Sequence, residues 1–301
     1  MIRRVIATNY LGESITFLLP FPEQSGLAIS NIEGLGPVTA NINSSETAIM
    51  DGVVFNSARL PERNIVFTFY MMWAPTIEDS RLITYKYFPV KRPVSLIFET
   101  DNRMVEITGY VESNEPKIFS DMQSTTISII CPNPYFYSSE YHETVFYGIE
   151  PLFEFEFENE SLTESLLEFS EISQSTDKNI FYEGDADVGL QMTILATGTV
   201  GDLMIYNSGT RETMTILASK MTSLTGSTIV AGDEISISTI RGNKYAVLLR
   251  NGQSRSILNC LDKDSDWIQS THGDNALAYQ ASYGSENLIF RVYNPVAFEG
   301  I

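Results

Sequence analysis

Imidazole and thiol groups are scarce: the 301 residues hold two histidines, His142 and His272, and two cysteines, Cys131 and Cys260. Any Ser-His or Cys-His pair must use one of those imidazoles. No Gly-x-Ser-x-Gly elbow occurs, and Cys131 and His142, eleven residues apart, match no cysteine-enzyme signature. The reading is a core thiol and a surface histidine, with no catalytic residue. Two Cys and two His at these spacings make no zinc motif either. One disulfide is arithmetically open, but two distant cysteines read more simply as buried thiols in a reducing compartment. Basic side chains are also few, 19 against 38 acidic, for a net charge of −19. That balance argues against a surface that tracks phosphates, so no specific nucleic-acid contact is expected. No apolar run reaches the ~20 residues of a membrane helix, so no membrane partner is expected. The opening "MIRRVIATNYLGESITFLLPF" is interrupted by Glu13 and Pro20 and has no small-residue cleavage site, which argues against a signal peptide. No Walker motif is present. "GLGPVT", with Gly34 and Gly36, lacks the third glycine of a dinucleotide loop and reads as a plain turn, so no cofactor is expected.

What is present is strand-forming chain. Apolar residues make up 43% and charged residues only 19%, which allows real cores and argues against disorder. The length fits two domains or one large all-β unit. Short runs of Ile, Val, Thr, Phe and Tyr are cut by Gly, Asn, Asp, Ser and Pro. Strands are expected at 63–72, 123–131, 188–197 and 287–293. In the second, Ile127, Ile129 and Cys131 face one way and Thr126 and Ser128 the other. In the third, Val188, Leu190, Met192 and Ile194 oppose Gln191, Thr193 and Thr197. Asn251-Gly252 reads as a two-residue hairpin turn with both φ angles positive. Asp101-Asn102 divides two further strands, and Asp51-Gly52 opens another. One helix is expected at about 76–88, capped by Thr76 with Asp79 three residues on, striped by Ile77, Leu82, Ile83 and Tyr87, and stopped by Pro89. The segment 161–171 fits a helix or a strand pair equally.

A charge shift marks a division near 138–150. Residues 1–140 carry 10 basic and 15 acidic side chains, and residues 141–301 carry 9 and 23. The expected domains are 1–140 and 141–301. The acidic connecting region 141–187 holds most of the excess, with 13 acids and Lys178 as its one base over 143–187.

The acids do not assemble into a convincing reaction centre. "DKDSDW" places Asp262, Asp264 and Asp266 at calcium-loop spacing, but Trp267 stands where a glycine is needed and Gly273 where a bidentate Glu is needed. An acidic surface turn is the simpler reading. In "PLFEFEFENE", Glu154, Glu156 and Glu158 line one strand face. A glycosidase needs two opposed carboxylates across a cleft, so this row reads as a wetted face that discourages edge pairing. Trp267, Tyr279, Tyr283 and Tyr293 could stack on sugars, although such residues are usually half-buried. The sequons at Asn43 and Asn159 carry little meaning without a secretory signal. About 300 residues of strand-rich chain without a reactive constellation suggest a structural or binding protein, not an enzyme.

Several motifs together resemble the distal tail protein (Dit) family of long-tailed (siphovirus-type) bacteriophages. "GLGPV" precedes "DGVVFNSARLPERNIVFTFYM", where Asp51, Gly52 and Arg63 match the family's Asp-Gly turn and the arginine that leads an apolar strand. The next stretch matches a short helix bearing Arg81 and ending at Phe88 and Lys91. "ISIICPNPYFYS" is the most specific match, through Cys131, Asn133, Pro134, Tyr135 and Tyr137. In the second half, "AGDEISIST" matches through Gly232, Glu234, Ile235, Ile237 and Thr239. "DWIQSTHGDNALAY" resembles another family segment, with His272 where proline is common.

The resemblance implies a mainly β fold: an N-terminal β-sandwich or barrel with one α-helix, then a C-terminal galectin-like β-sandwich (jelly roll). It implies a homohexameric ring at the distal end of the virion tail, assembled in the host bacterial cytoplasm. That hub would join the tail tube protein to the tail-associated fibre or lysin protein, meet receptor-binding proteins, and leave a central passage for DNA. A host cell-wall carbohydrate-binding adsorption module is the alternative reading, and a wall hydrolase fails on the carboxylate geometry. Lys86, Lys91 and Arg92 form the one notable basic cluster, either a solvated helix end or a contact for an acidic neighbour.

Overall fold

The computed structural model describes residues 1–46, 51–72, 76–120, 122–139, 142–151, 170–174 and 176–301. The acidic row at 153–158, the undecided segment 161–169 and the sequon at Asn159 lie outside these. Residues 170 and 171 open the strand Ser170–Gln174, antiparallel to Tyr147–Pro151. The chain divides into two compact units, Met1–Glu140 with Ala297–Ile301, and Tyr141–Val296. The last five residues thus belong with the first unit.

The first unit is built on one antiparallel sheet. Its strands run in the order Ser14–Leu18, Ile2–Thr8, Pro93–Thr100, Met104–Lys117, Ser124–Cys131, Arg63–Met71 and Leu27–Glu33. A short strand, Phe136–Ser138, pairs with Met104–Lys117 on one side and with Ala297–Phe298 on the other. The strand expected at 63–72 forms as Arg63–Met71 and alternates strictly. Ile65, Phe67, Phe69 and Met71 point inward, as does Arg63. Phe17, Phe67, Phe69, Phe88, Phe98 and Phe136 are fully buried there and pack ring on ring, with Phe17 and Phe69 centroids 5.1 Å apart. Burying each such side chain contributes about 1.5–3 kcal/mol. In Ser124–Cys131 the inward row Thr125, Ile127, Ile129 and Cys131 is fully buried, and Ser124 and Ser128 on the other face are also buried, because this strand is central.

The helix is Ile77–Tyr87, with Thr76 and Asp79 forming the reciprocal capping box. Its packing face differs from the expected apolar stripe. Ser80 and Thr84 are the buried residues, and Leu82 is 53% exposed. Small hydroxyl residues one turn apart let the backbone approach closely. Each hydroxyl also finds a partner: Ser80 donates to the Met72 carbonyl at 2.7 Å and Thr84 to the Arg81 carbonyl at 2.7 Å.

Two antiparallel sheets carry the core of the second unit, beside two short two-stranded pairs among the described residues. The larger runs His142–Val145, Leu288–Asn294, Gln191–Ala196, Glu234–Ser238, Tyr245–Arg250 and Gln253–Ser256. The smaller runs Asp177–Tyr182, Gly273–Ala281, Leu203–Asn207 and Glu212–Ile216. Inward residues of both sheets, among them Met192, Ile194, Ile237 and Phe290 against Leu203, Ile205, Leu277 and Tyr279, form one core. Asn251 (φ 51°) and Gly252 (φ 74°) make the hairpin turn with both angles positive. The strand expected at 188–197 is interrupted at Leu190, whose backbone N–H goes to the Thr239 hydroxyl at 2.7 Å in place of a ladder partner. A second helix, Ala218–Thr225, was not expected. Its signal was Gly226, the left-handed residue that ends it at φ 86°. Among the described residues no helix is long and apolar enough to cross a membrane.

Candidate assembly surface

Alternation places Arg63 among apolar residues, and the loops around it meet its charge. The guanidinium is 1% exposed. Nε donates to the Pro134 carbonyl at 2.6 Å, and Nη1 donates to the Gly34 and Gly36 carbonyls at 2.5 and 2.6 Å. Nη2 donates to the Glu299 carbonyl at 2.5 Å, and the cation lies 4.4 Å from the centre of the Phe136 ring. One side chain therefore ties the Gly-Leu-Gly turn, the Asn-Pro-Tyr segment and the C-terminal residues to the edge of the sheet. Burial pulls its pKa below the usual arginine value. Gly34 is required twice over: its φ is +83°, and a Cβ there would stand 2.0 Å from the Asn64 carbonyl oxygen.

Cys131 pairs with Arg63 across the strands and is fully buried. Burial raises its thiol to about 11. Cys260 is likewise buried, free and shifted upward by burial. A nucleophilic cysteine needs the opposite shift. Asn133 orders the next loop, accepting from the Tyr135 amide at 3.2 Å and donating to the Tyr137 hydroxyl at 2.8 Å. The structure thus brings together Arg63, Cys131 and Pro134, with Asn133 and Tyr135 adjacent. These are supports of a fold, not a reaction centre.

Asp51 and Gly52 lie apart from that cluster, on an exposed hairpin. Among the described residues, strands Asn41–Glu46 and Val53–Arg59 pair only with each other, and all their residues are exposed. Ile42, Val53 and Phe55 are 68%, 62% and 64% exposed. Six to seven residues extend about 20 Å. A lone two-stranded ribbon is marginal in water, and an apolar one with free edges invites another chain. Two turns of the same unit present Tyr10 and Leu11, after the first strand, and Val90, after the helix, all exposed. Arg92 lies 5.0 Å from the Tyr10 ring, and Lys86 pairs with Glu13 at 3.0 Å. Hydrogen bonding to Lys86 lowers the Glu13 pKa. Arg81 bonds Glu78 at 2.9 Å along the helix.

In the second unit Gly232 adopts φ +86° in the turn before the strand that Glu234 opens. The residue between them is the one the motif reading missed. Asp233 is 1% exposed and bound bidentately by Arg250, at 2.7 Å from Nε and 2.5 Å from Nη2. The Arg250 Nη1 group also donates to the Thr225 and Ser227 hydroxyls, and Nη2 donates to the Thr228 carbonyl. This ties the end of the second helix to the sheet. Asp233 was legible only as an acid before a strand, and nothing in its spacing announced Arg250.

The chemistry-bearing candidates stay apart. Asp262 accepts from the Lys263 amide, and Asp266 accepts from Thr213. Among the described residues no three His, Cys, Asp or Glu side chains gather as a metal site. His272 bonds the Gly184 carbonyl at 3.0 Å. Of the aromatic residues considered for sugars, Tyr279 is in the core, whereas Trp267 lines an open hollow of about 420 Å³ with Lys220, Asn259, Asp262 and Lys263.

The sequence matches no family model and no curated protein. Solved structures do match. The phage SPP1 Dit (gp 19.1) protein, described as a paradigm of the hub adsorption apparatus in phages that infect Gram-positive bacteria, is similar with a TM-score of 0.64 at 12% identity, over 97% of this chain and 98% of that one. A chain of the phage P2 baseplate, in its activated conformation with calcium, is similar with a TM-score of 0.50 at 10% identity, over 98% of each chain. The fold is therefore that of a Dit hub protein along nearly the whole length.

Proposed function

We propose that this chain, carrying the Dit fold, is a structural distal tail protein: the hub of a phage tail tip, with no enzymatic role. The observation that carries the proposal is the unpartnered hairpin Asn41–Glu46/Val53–Arg59, on a unit whose core is otherwise closed. Such a ribbon is stable when another surface covers it, and repeated head-to-tail contacts close a ring. In this reading six copies surround a DNA passage. The ring joins the tail tube above to the fibre or lysin protein below, and the outer unit, read as galectin-like, meets receptor-binding proteins. The motif residues Arg63, Cys131, Asn133, Pro134 and Tyr135 hold the ring-forming unit rigid; Asp51 and Gly52 shape the hairpin; Arg81, Gly232 and Glu234 are structural.

The test is solution mass by light scattering across a concentration series. A mass of six times 33.7 kDa, or a rise toward it, supports the hub. A monomer at every concentration, unchanged on adding tube and fibre proteins, rejects it.

A second reading, a carbohydrate-binding adsorption module, is favoured by the hollow beside Trp267, which joins an aromatic face to amide, lysine and carboxylate groups. A glycan array that stays blank with the assembled protein removes it.

A further inference from the structure

The hollow beside Trp267 is lined by the second helix and by the loop that follows the turn Leu258–Cys260. Its walls are held in place from two sides. The loop is pinned to the edge strand Glu212–Ile216: the Asp262 and Asp266 amides donate to the Thr215 and Thr213 carbonyls at 2.9 and 2.6 Å, and the Thr215 amide donates to the Ser265 hydroxyl at 3.0 Å. On the helix side, Lys220 Nζ donates to the Leu261 carbonyl at 2.7 Å. One N–H of that ammonium is thereby fixed to the wall, and two remain for a ligand. A site already formed costs little ordering when it fills.

Cations gather here against the balance of the chain. Residues 141–301 hold 9 bases and 23 acids, yet Lys220 and Lys263 both line the hollow, and Lys244 lies 4.9 Å from the centre of the Trp267 ring. Among the described residues none of these three lysines makes an ion pair. The carboxylate of the lining is Asp262, whose Oδ1 accepts from the Lys263 amide at 2.7 Å, and its second oxygen can accept a ligand hydroxyl. A second hollow of about 360 Å³ runs past Ser219 and Ser223, and it shares Lys220 and Asn259 with the first. A ligand that fills both must pass the Lys220 ammonium.

We propose that these joined hollows bind an acidic oligosaccharide. One sugar ring lies against Trp267, its hydroxyls meet Asn259 and Asp262, and an anionic group, carboxylate or phosphodiester, sits at Lys220 and Lys263. A neutral sugar would leave the unpaired cations unused, and a bare anion would leave the indole uncovered. The shared lysine and the second hollow favour a chain of sugars over a single one. The inference rests on the carbohydrate reading and names the charge and form of its ligand. It does not need the ring, because every residue it uses belongs to the second unit.

The test is titration calorimetry on the full chain with matched probes: a short oligogalacturonate, a galacto-oligosaccharide of equal length, a phosphodiester-linked hexose oligomer and inorganic phosphate. At least one acidic oligomer should bind about tenfold more tightly than the neutral one, and the tighter of the two identifies the anion. Lys263→Gln alters an exposed side chain. It and Lys220→Gln should each weaken acidic binding about threefold and leave neutral binding unchanged, with an unaltered circular dichroism spectrum confirming the fold. The Trp267 indole N–H resonance should shift as the acidic oligomer binds. Equal affinity for neutral and acidic oligomers overturns the charge assignment and leaves the carbohydrate reading standing. Acidic binding that ignores both lysine variants and the indole overturns the site. Inorganic phosphate that binds as tightly as the oligomers overturns the sugar contact. No binding of any probe overturns this inference and the carbohydrate reading together.

Discussion

Arg63 and Cys131 stand opposite each other on neighbouring strands, a buried cation beside a buried thiol, at the rung where the sheet meets three loops. The arginine is satisfied by four main-chain carbonyls, so the arrangement depends on the fork shape of the guanidinium as well as its charge.

Arg63→Lys keeps the charge and loses the fork. An ammonium cannot reach all four carbonyls. Leaving two unsatisfied costs about 2–4 kcal/mol. The unfolding midpoint of the first unit should fall by roughly 5–10 °C, read by calorimetry. A change near one degree would mean that the loops satisfy themselves without the side chain.

The two thiols should be silent toward Ellman's reagent at pH 8 in the native protein and should react fully in denaturant. For Cys131 the sign of the pH effect follows from its upward shift, from 9.0 to about 11. In that window the unfolded chain releases a proton that the folded chain retains. Stability therefore falls as pH rises from 9 toward 11. Cys131→Ala should flatten this part of the stability–pH curve, and an unchanged slope would assign the loss to other groups.

Asp233→Asn removes the charge partner of Arg250 in the second unit. Breaking a buried bidentate pair costs about 3 kcal/mol. Chemical denaturation followed by Trp267 fluorescence, in a Trp73→Phe background that silences the other tryptophan, should show the loss in the second unit. Thr225 and Thr228, tied through the same arginine, should lose amide protection first. Equal protection in the variant would show that the helix end holds itself.

Phe55→Lys changes a side chain that is 64% exposed. It should leave the melting temperature within about a degree, since exposed substitutions usually fall within ±0.5 kcal/mol. Light scattering should instead show lost self-association. A lowered melting temperature with assembly intact would place Phe55 in the fold rather than in the contact.

The local elements were legible because their causes are local. The Thr76 capping box, the Asn251-Gly252 turn and the alternation of the main strands each rest on residues within a few positions of one another. The helix face was misread because it packs on Ser80 and Thr84, where closeness rather than apolarity decides contact. Asp233 was missed for a similar reason: its partner lies 17 residues away, across a hairpin pair.

By itself, then, the amino-acid order determined a strand-rich, acidic chain with few groups for chemistry, and it marked Arg63 as the head of an apolar strand. Only the tertiary structure decided what that arginine holds. It also decided that the last five residues belong with the first unit and that the hairpin carrying Asp51 and Gly52 stands bare. The reason is physical. Period and capping are set by neighbours in sequence, but the partners of a buried charge, and the exposure of a ribbon, are set by chain segments up to 236 residues apart.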